Sequence, residues 1–193
     1  MYKLIFPDIY YKIIISMNRE FFETNEREGF EKLKALNDAV HLFPEVYQTP
    51  KLTDYDASAT TIANNVYNIE IKIRHQVLLD DMRVSGVSNA GNSYIEPSIM
   101  IESHKLASNL LHAHYDNTTP IYVNFLDDGN IIIFNLHKLR YLPQKKVTQT
   151  YSRGYQRKEG ETKFYLSMAD ACIFDKNYNL IKRASDDKPT NSR

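Results

Sequence analysis

The chain has 193 residues, 42% of them apolar and 25% charged, with 24 basic and 24 acidic side chains and a formal net charge of zero. These values suit a single soluble domain with a sizeable core, and the charge balance by itself gives no sign of a polyanionic partner. Cys172 is the only cysteine, which excludes a disulfide framework and a Cys-based zinc site and makes a reducing, cytoplasmic setting the default.

Met1 to Ser16 is apolar and aromatic, but Pro7-Asp8 and Lys12 interrupt it and no small-residue cleavage pattern follows. It falls short of the roughly 20 residues a bilayer needs, so it reads as neither signal peptide nor membrane span. Residues 1–17 are set apart as a segment that forms a strand, a short helix on the core or an oligomer contact; a homodimer stays open. From Asn18 to Phe43 apolar residues recur at three- and four-residue steps (Phe22, Phe30, Leu33, Leu36, Val40), which predicts a helix closed by Pro44; a break near Thr24-Asn25, with Asn25 as a cap, stays open.

Gln48 to Thr61 reads as a first core strand and Val66 to Arg74 as a second, joined by a turn near Ala63–Asn65. Asp80-Asp81, Gly86, Asn89 and Gly91 make residues 77–92 a loop or protruding excursion. Tyr94 to Glu102 is strand-like, with Pro97 marking an edge or bulge, and Ser103 to Tyr115 is a helix with Lys105 in its first turn. Pro120–Leu126 and Asn130–Leu136 are the clearest strands, and Asp127-Asp128-Gly129 between them is hairpin chemistry. The run Ile131 to Phe134 implies burial on both faces, hence a sheet covered by helices. Phe164 to Phe174 is a last apolar element, and residues 184–193 read as a disordered tail.

Within the second strand, Tyr67 to Arg74 alternates at period two, so Glu70 and Lys72 share one face and Ile69, Ile71 and Ile73 the other. If Asp56 lies on the antiparallel neighbour, two carboxylates and a lysine converge, a set that suits a divalent metal and a water. Asp54 shares Asp56's strand face and competes with it for the role; Asp56 is favoured because it lies nearer the hairpin partner.

At these residues the chain resembles the PD-(D/E)XK nuclease superfamily, whose signature is an acid on one core strand and (Asp/Glu)-x-Lys on the next: here Asp56, then Glu70-Ile71-Lys72. The leading Pro is absent. The order helix, three strands, helix, two strands from Asn18 to Leu136 is similar to that family's core. Glu102-Ser103-His104-Lys105 and the segment Lys145 to Arg157 look, more loosely, like phage and restriction-type members. The resemblance implies an α/β fold over residues 18–183, with a mixed central sheet flanked by helices, a restriction endonuclease-like core and a basic C-terminal extension. It implies an Mg²⁺- or Mn²⁺-dependent deoxyribonuclease that leaves a 5′-phosphate and a 3′-hydroxyl, with DNA preferred to RNA. The metal shell would come from Asp56, Glu70 and the backbone carbonyl of Ile71. Lys72 would orient the attacking water, Lys105 would touch the scissile phosphate, and an acid of the first helix, Glu28 or Glu31, would face the metal.

The net charge hides an uneven distribution. Between Lys138 and Lys163 there are eight basic residues against two acids, whereas Glu20 to Glu31 carries five Glu and one Arg. Lys145, Lys146, Arg153, Arg157 and Lys158 are the candidates for phosphate contact, although a charge run is ordinarily a solvated face. His112 and His114, one residue apart on a helix, do not share a face, and Cys172 in an apolar run reads as a buried thiol. Tyrosines near basic residues, such as Tyr141, Tyr151 and Tyr155, could stack on bases or be ordinary half-buried aromatics. The rival to a nuclease is a non-catalytic protein of the same fold, binding nucleic acid or serving in phage assembly.

Overall fold

The computed structural model describes residues 7–50, 55–61, 63–88, 91–141, 143–148 and 161–184. Its first element is one long helix, α1 (Pro7–Val40), continuous through Thr24-Asn25, which settles the alternative left open there. Gly29, Leu33 and Leu36 recur at helical spacing and are buried, so this stripe is the face laid on the sheet. The helix ends where His41 takes a left-handed conformation (φ 51°) and the Asn37 side chain folds over the end. Asn37 accepts from the Phe43 N–H at 2.8 Å and donates to the Phe43 carbonyl at 3.0 Å.

The main sheet contains β1 (Glu45–Gln48), β2 (Ala57–Thr60), β3 (Val66–Arg74), β8 (Thr119–Leu126), β9 (Ile131–Asn135), β12 (Ala171–Phe174) and β13 (Leu180–Lys182), side by side in that order. Every neighbouring pair is antiparallel except β3 and β8, so the sheet is mixed, as expected. A parallel pair needs a long crossover, and residues 75–118 supply it. The expected excursion is there as a small antiparallel sheet, β4 (Gln76–Leu78), β5 (Val84–Val87) and β6 (Ser93–Glu96). It is followed by β7 (Met100–Glu102) and α2 (Ser103–Asp116).

The segment Tyr94–Glu102, expected as one strand, therefore divides at Pro97-Ser98. Its second half, β7, joins a third sheet with β11 (Glu161–Tyr165) and β10 (Gln144–Thr148). The segment Phe164–Phe174 likewise divides: its start belongs to β11 and its end to β12, with a 3-10 turn at Met168–Asp170 between them.

Two apolar clusters sit on opposite faces of the main sheet. Leu33 and Leu36 of α1 pack on Ile69, Ile71, Ile121, Val123, Phe125 and Ile131. On the other face Leu106 of α2, Ile99 and Ile101 pack on Tyr122, Ile132, Phe134 and Ile173. Burial of β8 from Pro120 to Leu126 matches its place at the centre. Among the described residues no helix is long and apolar enough to cross a membrane.

Candidate active site

β2 is four residues long and β3 nine, and their register pairs Ala57–Thr60 with Val66–Ile69 alone. The edge of β3 from Glu70 onward therefore extends past β2. Asp56, the residue before β2, fills the first place along it. Its N–H donates to the Ile69 carbonyl at 3.0 Å, and its Oδ2 accepts the Ile71 N–H at 2.7 Å. The N–H and C=O of one strand residue point to the same edge, so the Ile71 carbonyl is directed to the edge that carries the Asp56 carboxylate.

Glu70 is fully buried, on the same face of β3 as Lys72. Its Oε1 lies 3.2 Å from the Lys72 ammonium and 3.3 Å from that of Lys105, and its Oε2 accepts a 3.3 Å hydrogen bond from Lys105. Oε1 thus sits in the interior between two ammonium groups. Asp56, Glu70, Lys72 and Lys105, four residues singled out from sequence, are thus brought together where β2, β3 and α2 meet.

Burial pushes the Asp56 carboxyl above its usual range; the Ile71 N–H and the charges of Lys72 and Lys105 pull it back, and Glu26 pushes it up again. Glu70 is raised by burial first and by the Asp56 charge second, against the two lysines. Two carboxylates held at a cost beside each other are a functional-site signature.

They open on a cleft of about 710 Å³. Asn25, Glu26, Glu28 and Lys32 of α1 form one wall, and His75 and Asp127 stand at another part of the rim. Of the acids expected from α1, Glu28 lines the cleft but pairs with Lys32 at 3.5 Å, and Glu31 pairs with Lys34 at 3.6 Å outside it. Glu26, which sequence reasoning passed over, lines the cleft and is the helix acid whose charge bears on Asp56. Its signal was there to read: Glu26 takes a position in the apolar stripe, four residues from Phe22 and from Phe30.

The basic candidates divide. Lys146 is committed elsewhere, with its ammonium 2.5 Å from Glu96 Oε1, 2.7 Å from the Tyr165 hydroxyl and 5.3 Å from the centre of that ring. Lys145 is exposed on β10. Arg153, Arg157 and Lys158 lie outside the described residues, as does Asp54.

Asp56 and Glu70 are a pair: among the described residues no group of three His, Cys, Asp or Glu is arranged to hold a metal. Two carboxylates with an adjacent backbone carbonyl and a cleft for water fit a hard divalent cation that keeps several waters. Comparison with known proteins gives no match to a family model, a curated protein or a solved structure.

Proposed function

We propose that the chain is a metal-dependent nuclease of the PD-(D/E)XK type, with a restriction endonuclease-like core, that hydrolyses DNA to 5′-phosphate and 3′-hydroxyl ends. The observation that carries this reading is the convergence of Asp56, Glu70, Lys72 and Lys105 at one end of an open cleft. Asp56, Glu70 and the Ile71 carbonyl hold Mg²⁺ or Mn²⁺, which when bound supplies an acidified water and offsets charge on the phosphate. Lys72, a third exposed at its side chain, orients the attacking water and stabilises the charge that builds on the phosphoryl oxygens. Lys105 contacts a non-bridging oxygen from the opposite element, and the burial of Glu70 keeps bulk water from screening these charges.

A second reading, a catalytically inactive nuclease-fold protein that binds nucleic acid or serves in phage assembly, is favoured by one feature. Lys72 and Lys105 both lie against Glu70, which neutralises that carboxylate without any cation. Incubation with plasmid, single-stranded DNA and RNA in Mg²⁺, Mn²⁺ or EDTA separates the two. The nuclease reading expects cleavage that EDTA stops. Binding without cleavage selects the second reading, and cleavage that persists in EDTA contradicts the mechanism.

A further inference from the structure

The cleft holds a pair of titratable groups with no role in the chemistry above. His75, the residue after β3, places Nδ1 3.3 Å from Asp127 Oδ1. Its side chain is 87% exposed, so Nε2 is open to a ligand, and both residues line the cleft that holds Asp56, Glu70 and Lys72. An exposed His–Asp contact by itself is an ordinary surface pair. Here the backbone fixes it. The Asp127 N–H donates to the Gln76 carbonyl at 2.9 Å, and Asp128, next in the turn, accepts the Leu78 N–H at 2.7 Å. The β8–β9 turn is thereby fastened to the strand that follows His75, and Asp127 has a set position beside the imidazole.

We propose that His75, positioned by Asp127, is a further catalytic residue that protonates the leaving 3′-oxygen; this rests on the nuclease reading above. Displacement at phosphorus is in line, with the attacking and leaving oxygens on opposite sides. Lys72 serves the attacking side, and its ammonium and that of Lys105 are both drawn to Glu70. His75 follows the end of β3, three residues after Lys72 and about 10 Å along at strand rise, and the two side chains line one cleft.

In the step, the oxygen of water forms a bond to phosphorus and its proton passes to solvent. The bond from phosphorus to the 3′-oxygen breaks with its electron pair on oxygen, and that oxygen takes the Nε2 proton of the imidazolium. Asp127, 3.3 Å from Nδ1, leaves Nε2 as the nitrogen that faces the phosphate. Solvent then reprotonates the neutral imidazole.

The test compares one DNA sequence with an ordinary scissile phosphate and with a bridging 3′-sulfur, whose thiolate leaves without a proton. Full-length wild-type, His75→Ala and Asp127→Asn proteins are assayed with Mn²⁺ under single-turnover conditions. The expected result is a loss of roughly 10²-fold for His75→Ala on the oxygen substrate, within a few-fold of wild type on sulfur. Asp127→Asn shows the same pattern with a smaller loss. Equal losses on both substrates, or none on either, overturn the assignment while leaving the nuclease standing. A wild-type protein that cleaves neither substrate overturns the nuclease reading and this one with it.

Discussion

Lys105, in the first turn of α2, holds its ammonium 3.3 Å from both oxygens of Glu70, a carboxylate 35 residues earlier on β3. Lys72 approaches the same group from its own strand at 3.2 Å. The two lysines are not equivalent in the proposed chemistry, because Lys72 handles the water and Lys105 a phosphate oxygen. Lys72→Met is expected to slow single-turnover cleavage by roughly 10²- to 10³-fold, and Lys105→Met by roughly tenfold. Equal losses would mean that the roles are wrongly divided.

The buried carboxyls give a pH dependence with a definite sign. Burial raises both Asp56 and Glu70, so in the range above the ordinary carboxylate pKa of about 4 the folded chain keeps protons that the unfolded chain has lost. Stability therefore declines as pH rises through that range. Asp56→Asn relieves the repulsion on Glu70 and keeps an oxygen for the Ile71 N–H. Its melting temperature at pH 7 is expected to exceed that of wild type, with a flatter profile between pH 4 and 8.

In the proposed site, a cation bound between these carboxylates would offset the same repulsion. Mn²⁺ at 100 times its Kd adds about 2.7 kcal/mol to folding stability by mass action. Thermal melts with and without Mn²⁺ are expected to show the gain in wild type and none in Asp56→Asn or Glu70→Gln.

Gly29 lets α1 lie close on β3: a Cβ there meets Ile71 Cγ2 at 3.0 Å. Gly29→Val lifts the helix from Ile71, and with it shifts the backbone that carries Glu70 and Lys72. The expected cost is about 1–3 kcal/mol in urea denaturation, with cleavage reduced as well. Unchanged stability would show that the contact is looser than its geometry.

Arg74 ties the core to the α2 side of the site. Its guanidinium donates to Asn124 Oδ1 at 2.9 Å, to the Met100 carbonyl at 2.6 Å and to the Tyr122 hydroxyl. Burial pushes that phenol well above its usual range, so it stays neutral. Met100 begins β7, which leads straight into α2 and Lys105. Arg74→Met removes the donor to buried Asn124, while the Tyr122 hydroxyl still donates to the Met100 carbonyl at 3.2 Å, and is expected to cost about 1–3 kcal/mol. Urea midpoints check it.

What the sequence made legible here was local. The alternation from Tyr67 to Arg74 placed Glu70 and Lys72 on one face, and a short turn near Asn64, which has φ of 60°, brought Asp56 back to that strand. What it concealed depended on distant partners. Glu96, 50 residues from Lys146, gives that lysine a counter-ion that no local pattern reveals. The pairing of β7 with β11 joins Glu102 to Lys163, which is why Tyr94–Glu102 divides between two sheets.

The central claim is that Asp56 and Glu70 hold the cation and Lys72 performs chemistry beside it. Mn²⁺ binding by electron paramagnetic resonance and DNA cleavage, measured on the same samples, test it together. Wild type is expected to bind and cleave, Lys72→Met to bind without cleaving, and Asp56→Asn and Glu70→Gln to do neither. Cleavage by Lys72→Met at the wild-type rate, or undiminished Mn²⁺ binding by Asp56→Asn and Glu70→Gln, would contradict it.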